Sequence, residues 1–333
     1  MSAAGPLQLV PSLPGDLTRV EERLRDAVQA EDDLLTDVAG HLIAAGGKRV
    51  RPGFALASAG VATGGEDPAH EDVVMGAVAV ELVHLGSLYH DDVMDEATTR
   101  RNVESVNARW GNLKAILAGD FLLARASEIA ASLGTEIAGL LARTIGRLCE
   151  GQVCELQYAF DLHRTEAEYE RAIGGKTASL LATSCRVGAI VGGLGRVDVE
   201  TLTEFGHSYG MAFQVVDDIL DVVATDDQLG KQGGKDLLEG IYTLPVIRAL
   251  RTGAGERLGE LLSGPLDADG LTEARQLIGE SGAIDDALDV ARAHADKAAA
   301  ALSSLPDNPA ADGLRAAADH LIARAATPLT EIR

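Results

Sequence analysis

The chain has 333 residues, 51 of them acidic and 29 basic, for a formal net charge of -22. That balance excludes a generally basic nucleic-acid surface, and any cations that bind an anionic ligand must be concentrated locally. Nearly half the residues are apolar, 46%, but only 3% are aromatic; the Ala- and Leu-rich remainder with few β-branched runs predicts an all-α fold of closely packed helices. The length suits a sizeable core near the upper limit for one domain, and ten prolines with no low-complexity linker predict a single domain over residues 1–333, with 1–15 flexible. No run of 18 apolar residues without charge occurs, so no membrane span is expected. The first 16 residues carry neither the basic region nor the apolar stretch of a signal peptide, and Cys149, Cys154 and Cys185 show no paired or metal-ligand spacing. Both point to a cytoplasmic protein with reduced thiols.

In chain order, residues 17–45 read as the first helix, with Asp16 as its cap and Gly46 and Gly47 as its stop. Residues 52–61 form a second and 71–95 a long third. Residues 113–133 and 136–160 follow, the latter kinked at Gly151; 166–194 is broken around Gly174 and Gly175, and 199–223 is again long. The loop 224–240, rich in Gly, Asp and Lys, is a candidate lid. Helices over 243–251, 255–262, 271–279, 284–302 and 310–326 close the chain, with no strand pair and no short repeat.

The third helix organises the rest. Its apolar run ends in AVELVHLGSLYHDDVMD, where Asp91 and Asp95 share a face and Asp92 lies beside them. Three carboxylates there repel one another and sit at the helix end that favours cations. A cluster disfavoured on both counts points to a hard divalent cation, and oxygen ligands suit Mg²⁺. A second copy, Asp217, Asp218 and Asp221, also follows an apolar helix and precedes Lys231 and Lys235. A third, Asp285, Asp286 and Asp289, follows Ser281 and opens a helix, where negative charge is favourable; it reads as structural.

Lysine is scarce, six against 23 arginines, and four of the six fall in the motifs that matter here. Lys48, Arg49 and Arg51 stand beside Gly46 and Gly47, on a backbone able to wrap closely around a phosphate; the ordinary alternative is a decorated helix C-cap. His84 lies on the third helix before Asp91, where a core histidine is the common case, and Arg100 and Arg101 follow the first aspartates. Gly174-Gly175-Lys176-Thr177 is not a P-loop, because Glu170 stands where the first glycine is needed and no strand precedes it; it reads as a kinked helix presenting a lysine, a hydroxyl and freed carbonyls. Gln214 lies one turn before Asp217.

Taken in order, GGKRVRP, ELVHLGSLYHDDVMDEATTRR, AILAGDFLLARA, GKTASL, FQVVDDILD, GKQGGKD and TLP make the chain resemble the all-trans polyprenyl diphosphate synthases over nearly its whole length. The resemblance implies a bundle of long helices around a central cavity (the isoprenoid synthase fold), the two aspartate helices facing each other, and a homodimer. It implies head-to-tail condensation of an allylic diphosphate with isopentenyl diphosphate. Asp91, Asp92, Asp95, Asp217, Asp218 and Asp221 would hold Mg²⁺ ions, three by that resemblance, which neutralise the leaving diphosphate. Arg100, Lys176, Lys231 and Lys235 would bind the allylic diphosphate, and Lys48, Arg51, His84 and Arg101 the isopentenyl diphosphate. Thr177, Gln214 and the Lys176 carbonyl would stabilise the allylic cation, and the released diphosphate would take the proton. The small Gly86 and Ser87, one turn before Asp91, with Leu82 and Val83 a turn further back, would leave the tunnel open to a product longer than geranylgeranyl, such as a quinone side chain. Two positions depart from the family: Asn102 stands where it usually has Gly after the paired arginines, and Ile241 where many members have Lys before TLP.

Other readings fare worse. A synthase of farnesyl or geranylgeranyl length shares every motif and differs only in the tunnel floor. A terpene cyclase would carry an Asn/Ser/Glu metal motif in place of DDILD. A non-catalytic subunit of a two-component synthase would not need intact aspartates, GKT and paired arginines, and an acidic Ca²⁺-binding protein would have no use for the clustered cations.

Overall fold

The computed structural model describes residues 6–224 and 233–332, with side chains for 7–224 and 233–324. The helices are α1 (Leu13–Ala27), α2 (Asp33–Ala44), α3 (Val50–Gly60), α4 (Glu71–Met94), α5 (Val106–Trp110), α6 (Asn112–Ser132), α7 (Thr135–Gln157), α8 (Glu166–Ile173), α9 (Ser179–Val191), α10 (Arg196–Val223), α11 (Lys235–Leu238), α12 (Leu244–Ala249), α13 (Gly255–Leu262), α14 (Ala268–Glu280), α15 (Ala283–Ala301) and α16 (Pro309–Ile332). A π-turn, Gly174–Ala178, joins α8 to α9. Among the described residues the strands are confined to one hairpin, β1 (Thr99–Arg100) paired antiparallel with β2 (Val103–Glu104). The chain divides into two compact units. One comprises Met1–Gly146, Leu180–Gly206 and Leu302–Ala317; the other comprises Arg147–Ser179, His207–Ala301 and Ala318–Arg333.

The first unit is built on α4. Its Val73, Val74, Ala77, Val78, Leu82 and Leu85 are buried, and 72% of its most apolar stretch lies inside the structure. By length and composition it is apolar enough to cross a membrane; its burial marks it as a core helix. Close helix approach depends on missing side chains. A Cβ on Gly86 would lie 3.1 Å from the Gly119 carbonyl of α6, and the His90 ring fills the space beside Gly119. A Cβ on Gly188 of α9 would land on the Ala55 carbonyl of α3, and one on Gly192 would come within 2.8 Å of Ala59.

The second unit contains α8, α11 to α15 and the C-terminal parts of α7 and α10. In it α12 packs against α15, and the Tyr242 hydroxyl, in the segment leading into α12, donates to the Leu262 carbonyl of α13 at 3.0 Å. Asp285 and Asp286 lie in the first turn of α15, whose Ala287 and Leu288 are buried. This matches the structural reading of that third aspartate copy.

Four local expectations are corrected. The segment 1–15 is not loose in the part described, residues 6–15. Leu7, Val10 and Leu13 are buried, and the Ser12 N–H donates to the Gly65 carbonyl at 3.0 Å. Asp16 is not a cap but a buried carboxylate inside α1, accepting from the Ala69 N–H with both oxygens at 3.1 Å. The single helix over 17–45 is two helices, because Asp32 caps α2 by accepting from the Leu35 N–H at 2.9 Å and the Thr36 hydroxyl accepts from the Ala30 N–H at 3.0 Å. The unexpected hairpin turns at Arg101 and Asn102, both at positive φ, 54° and 62°, as a type I′ turn requires. Asn tolerates that region better than any residue but Gly, so Asn102 suits the second position of this turn.

The closest helix crossing gives a direct test. Gly188→Ala should lower unfolding stability by about 1–3 kcal/mol or more in a denaturant titration, because α3 and α9 must separate. Gly146→Ala, on an exposed stretch of α7 where a Cβ meets nothing within 4 Å, should raise it by up to about 1 kcal/mol.

Candidate active site

In the first unit, the last turn of α4 carries Asp91 and Asp95 half-buried and Asp92 fully buried, with no basic residue to offset the helix dipole. Asp92 Oδ1 accepts from Arg100 Nε at 2.7 Å and lies 2.5 Å from its Nη2, and Asn107 Nδ2 donates to the Asp92 carbonyl at 2.9 Å. The hairpin turn that sets Arg100 on the aspartates points Arg101 the other way. Its Nη1 donates to the Leu42 carbonyl at 3.0 Å and to the Gly46 carbonyl. A Cβ on Gly47 would sit 2.8 Å from that guanidinium, so the second glycine of GGKRVRP makes room for Arg101.

Glu81, 2% exposed in the apolar stretch of α4, anchors this group. Its Oε1 accepts from Arg49 Nη1 at 2.8 Å and lies 3.9 Å from Arg101 Nη2. Arg49, itself buried and also bonded to Glu21, faces inward and locks the 46–52 loop to α4. Lys48 is exposed and Arg51 half-buried. Burial lowers Arg51 to about 10, against the attraction of Glu81, so it stays charged at neutral pH. Burial and the nearby Arg51, Arg101 and Arg100 hold His84 well below the usual histidine range, so its ring is neutral. Leu82 and Val83 are buried, Gly86 is closed off by Gly119 and Leu123, and Ser87 is half-buried, donating to the His84 carbonyl at 2.8 Å.

In the second unit, the expected break at Gly174 and Gly175 is the π-turn. The Ser179 N–H reaches back five residues to the Gly174 carbonyl, and the Ser179 hydroxyl donates to the Gly175 carbonyl at 2.6 Å. It presses against α7 where two glycines meet: a Cβ on Gly151 would lie 2.9 Å from the Gly175 carbonyl carbon, and one on Gly175 2.9 Å from Gly151 Cα. α7 therefore continues through Gly151 as a contact surface for the turn. On the turn, Lys176 Nζ meets Glu155 Oε1 at 2.6 Å, and the Thr177 hydroxyl donates to Gln214 Oε1 at 2.7 Å. Gln214 Nε2 donates to Asp218 Oδ1 at 2.8 Å, and the buried Tyr169 hydroxyl donates to Asp218 Oδ2 at 2.6 Å. Burial pushes Asp218 up to about 7 while those two bonds oppose it. Asp217 is half-buried and pairs with Arg324 at 3.1 Å; Asp221 is buried and its Oδ2 accepts from the Asp236 N–H at 3.2 Å. Lys235 pairs with Glu239 at 2.9 Å. Lys231 and the rest of residues 225–232 of the candidate lid lie outside the described residues.

Sequence reasoning missed Glu81, Glu155, Tyr169 and Arg324. Glu81 had a signal, as a lone acid in an apolar helical run; the other three had none, since their partners lie far off in sequence. Among the described residues, no three His, Cys, Asp or Glu side chains already converge on one metal point. The donor chemistry nevertheless fits a hard divalent cation. Each of α4 and α10 ends in oxygen donors with no basic residue in its last turn, leaving negative charge at a negative dipole end.

The polyprenyl synthetase family model matches residues 32–278. A nonaprenyl diphosphate synthase of Mycobacterium tuberculosis is 39% identical over 311 residues, 92% of this chain and 92% of that protein. A polyprenyl synthase of Caulobacter crescentus, solved in complex with calcium and isoprenyl diphosphate, matches with a TM-score of 0.89 at 34% identity, covering 97% of this chain and 98% of that one. A geranylgeranyl pyrophosphate synthase of Corynebacterium glutamicum, solved with the same ligands, matches with a TM-score of 0.82 at 40% identity over 95% and 97%. With carboxylates clustered at two helix ends, cations gathered around Glu81 and the GKT turn, the chain belongs to the polyprenyl synthetase family and is a prenyltransferase of the all-α isoprenoid synthase fold.

Proposed function

We propose that the chain is a Mg²⁺-dependent synthase that joins isopentenyl diphosphate head to tail to an allylic diphosphate and extends the product beyond geranylgeranyl length, as for a quinone side chain. The observation that carries this reading is the pair of aspartate clusters, each at the end of a helix whose own last turn carries no basic residue. Asp91, Asp92, Asp95, Asp217 and Asp221 supply the carboxylates for the metal ions, taken as three, with Asp218 held beside them in the second cluster by Gln214 and Tyr169. Mg²⁺ held there would neutralise the diphosphate as the allylic C–O bond ionises. Arg100, Lys176, Lys231 and Lys235 bind that diphosphate. Lys48, Arg51 and Arg101 bind the isopentenyl diphosphate, with the neutral His84 as a hydrogen-bonding rather than charged partner. The isopentenyl double bond attacks the allylic cation, whose charge faces the oxygens of Thr177, Gln214 and the Lys176 carbonyl. The proton lost from the new cation goes to the released diphosphate.

The two units are read as one catalytic domain, since the family match runs through segments of both. Exposed Leu113 and Leu117 on α6, 79% and 63% accessible, support a homodimer, and free thiols at Cys149, Cys154 and Cys185 suit a cytoplasmic location. Small residues at the gate and the nonaprenyl relative favour a long product; the geranylgeranyl relative, at slightly higher identity, favours a shorter one.

Incubation with farnesyl diphosphate, labelled isopentenyl diphosphate and Mg²⁺, followed by sizing of the dephosphorylated alcohols, should give polyprenols longer than geranylgeraniol that disappear with EDTA. A twenty-carbon limit would keep the chemistry and raise the tunnel floor to Leu82 and Val83; no elongation from any allylic primer would refute the synthase. Ser87→Phe should shorten the product, whereas Gly86→Phe must first displace Leu123 and should cost stability as well. Unchanged length in both would remove the gate from this turn. Because His84 is neutral well below pH 7, kcat/KM for isopentenyl diphosphate should show no inflection from it between about pH 6 and 8. An inflection present in the wild type and lost in His84→Gln would show that the ring titrates there.

A further inference from the structure

Asp218 differs from the other aspartates of the two clusters in what surrounds it. It is 2% exposed, and both of its oxygens accept short hydrogen bonds from neutral side chains of its own unit, Gln214 at 2.8 Å and Tyr169 at 2.6 Å. Asp92 is as deeply buried, but an arginine neutralises it; Asp217, its neighbour, is half-buried and pairs with Arg324. Tyr169 is itself buried, on α8, with its ring 5.7 Å from the buried guanidinium of Arg164. The consequence falls on Gln214. In its ionised form Asp218 only accepts, so the group of Gln214 that faces it is the NH₂, and the amide oxygen is turned toward Thr177, whose hydroxyl donates to it. Without the carboxylate an amide can rotate by half a turn at little cost and present its donors instead.

We propose that Asp218 is a positioning residue for the Gln214 amide rather than a ligand of the metal ions, and that Tyr169 holds it in that role. The inference rests on the reading above, in which Thr177 and Gln214 face the allylic cation. A fixed amide presents the negative end of its dipole to a developing positive charge, and this orientation is set before substrate arrives. The hydrogen-bonded series Tyr169, Asp218, Gln214, Thr177 spans α8, α10 and the π-turn, so the oxygen that faces the cation is fixed by three elements at once.

The test measures Tyr169→Phe, Asp218→Asn and Gln214→Leu for kcat, both substrate KM values and the Mg²⁺ concentration at half-activity. It also measures, without turnover, the rise in melting temperature produced by Mg²⁺ plus inorganic pyrophosphate. A positioning role predicts that kcat falls by about 10²-fold in Tyr169→Phe and Asp218→Asn, while the KM values and Mg²⁺ response stay within about twofold. The Mg²⁺ and pyrophosphate stabilisation should be retained in both, and reduced in Asp217→Asn. The double variant Tyr169→Phe/Gln214→Leu should be no slower than Gln214→Leu alone. That comparison decides the matter if Asp218→Asn does not fold. A loss of about tenfold or more in Mg²⁺ response or in metal stabilisation in Asp218→Asn would make it a ligand and overturn the proposal. Additive losses in the double variant, or wild-type kcat in Tyr169→Phe, would overturn it equally. A wild-type protein that elongates no allylic primer refutes the synthase reading itself, whereas an active wild type with an unaffected Tyr169→Phe refutes only the positioning role.

Discussion

A carboxylate withdrawn from water must find a cation or a set of donors, and three of them, Glu81, Asp92 and Asp218, fix what stands around them. Glu81 draws Arg49 into the core and leaves Arg101 within 3.9 Å, which ties the 46–52 loop and the β-hairpin to α4. Asp92 takes Arg100 from the same hairpin, so two adjacent arginines are pulled to opposite sides of a tight turn. Asp218 gathers Gln214 and Tyr169 and through Gln214 reaches Thr177. Among the cations of the 46–52 loop, Lys48 and Arg51 are not held by hydrogen bonds to these buried anions, whereas Arg49 is.

That division separates cations by task. Within the motif GGKRVRP, Arg49 is structural, Arg51 is partly desolvated yet charged, and Lys48 is in solvent. His84, ringed by arginines, is neutral, because a further positive charge there would be repelled as well as buried. Such an arrangement gathers like charges, so beyond the effect of burial Arg101 lowers Arg51 and Arg100 lowers Arg101 by repulsion, against the attraction of Glu81.

Much of this was legible in the sequence where periodicity and punctuation agree. α4 begins at the expected residue and ends one short of the expected Asp95, and the break at Gly174 and Gly175 is where the double glycine placed it. The division between α1 and α2 was hidden because no Gly or Pro marks it; Asp32 starts α2 by accepting from the Leu35 N–H, and Thr36 takes the Ala30 N–H of the connecting turn. The hairpin was hidden because its turn is Arg-Asn rather than Asn-Gly. Both aspartate clusters could be read from spacing. Tyr169 and Glu155 could not, since their value lies in partners 49 and 21 residues away that only tertiary packing supplies.

The π-turn at Gly174–Ala178 carries one residue more than an α-helical path would use. That surplus makes the stretch intolerant of changes in length. Losing a single residue there would let the helix close up into ordinary α geometry, leaving the turns on either side in register but removing the bulge that carries Lys176 and Thr177. Thr177 would then no longer point at Gln214, even though every motif letter outside the deletion remained. Among natural variants of this protein, substitutions across Gly174 to Ala178 are therefore open to case-by-case tolerance, while insertions and deletions in the same few residues should be purged almost without exception.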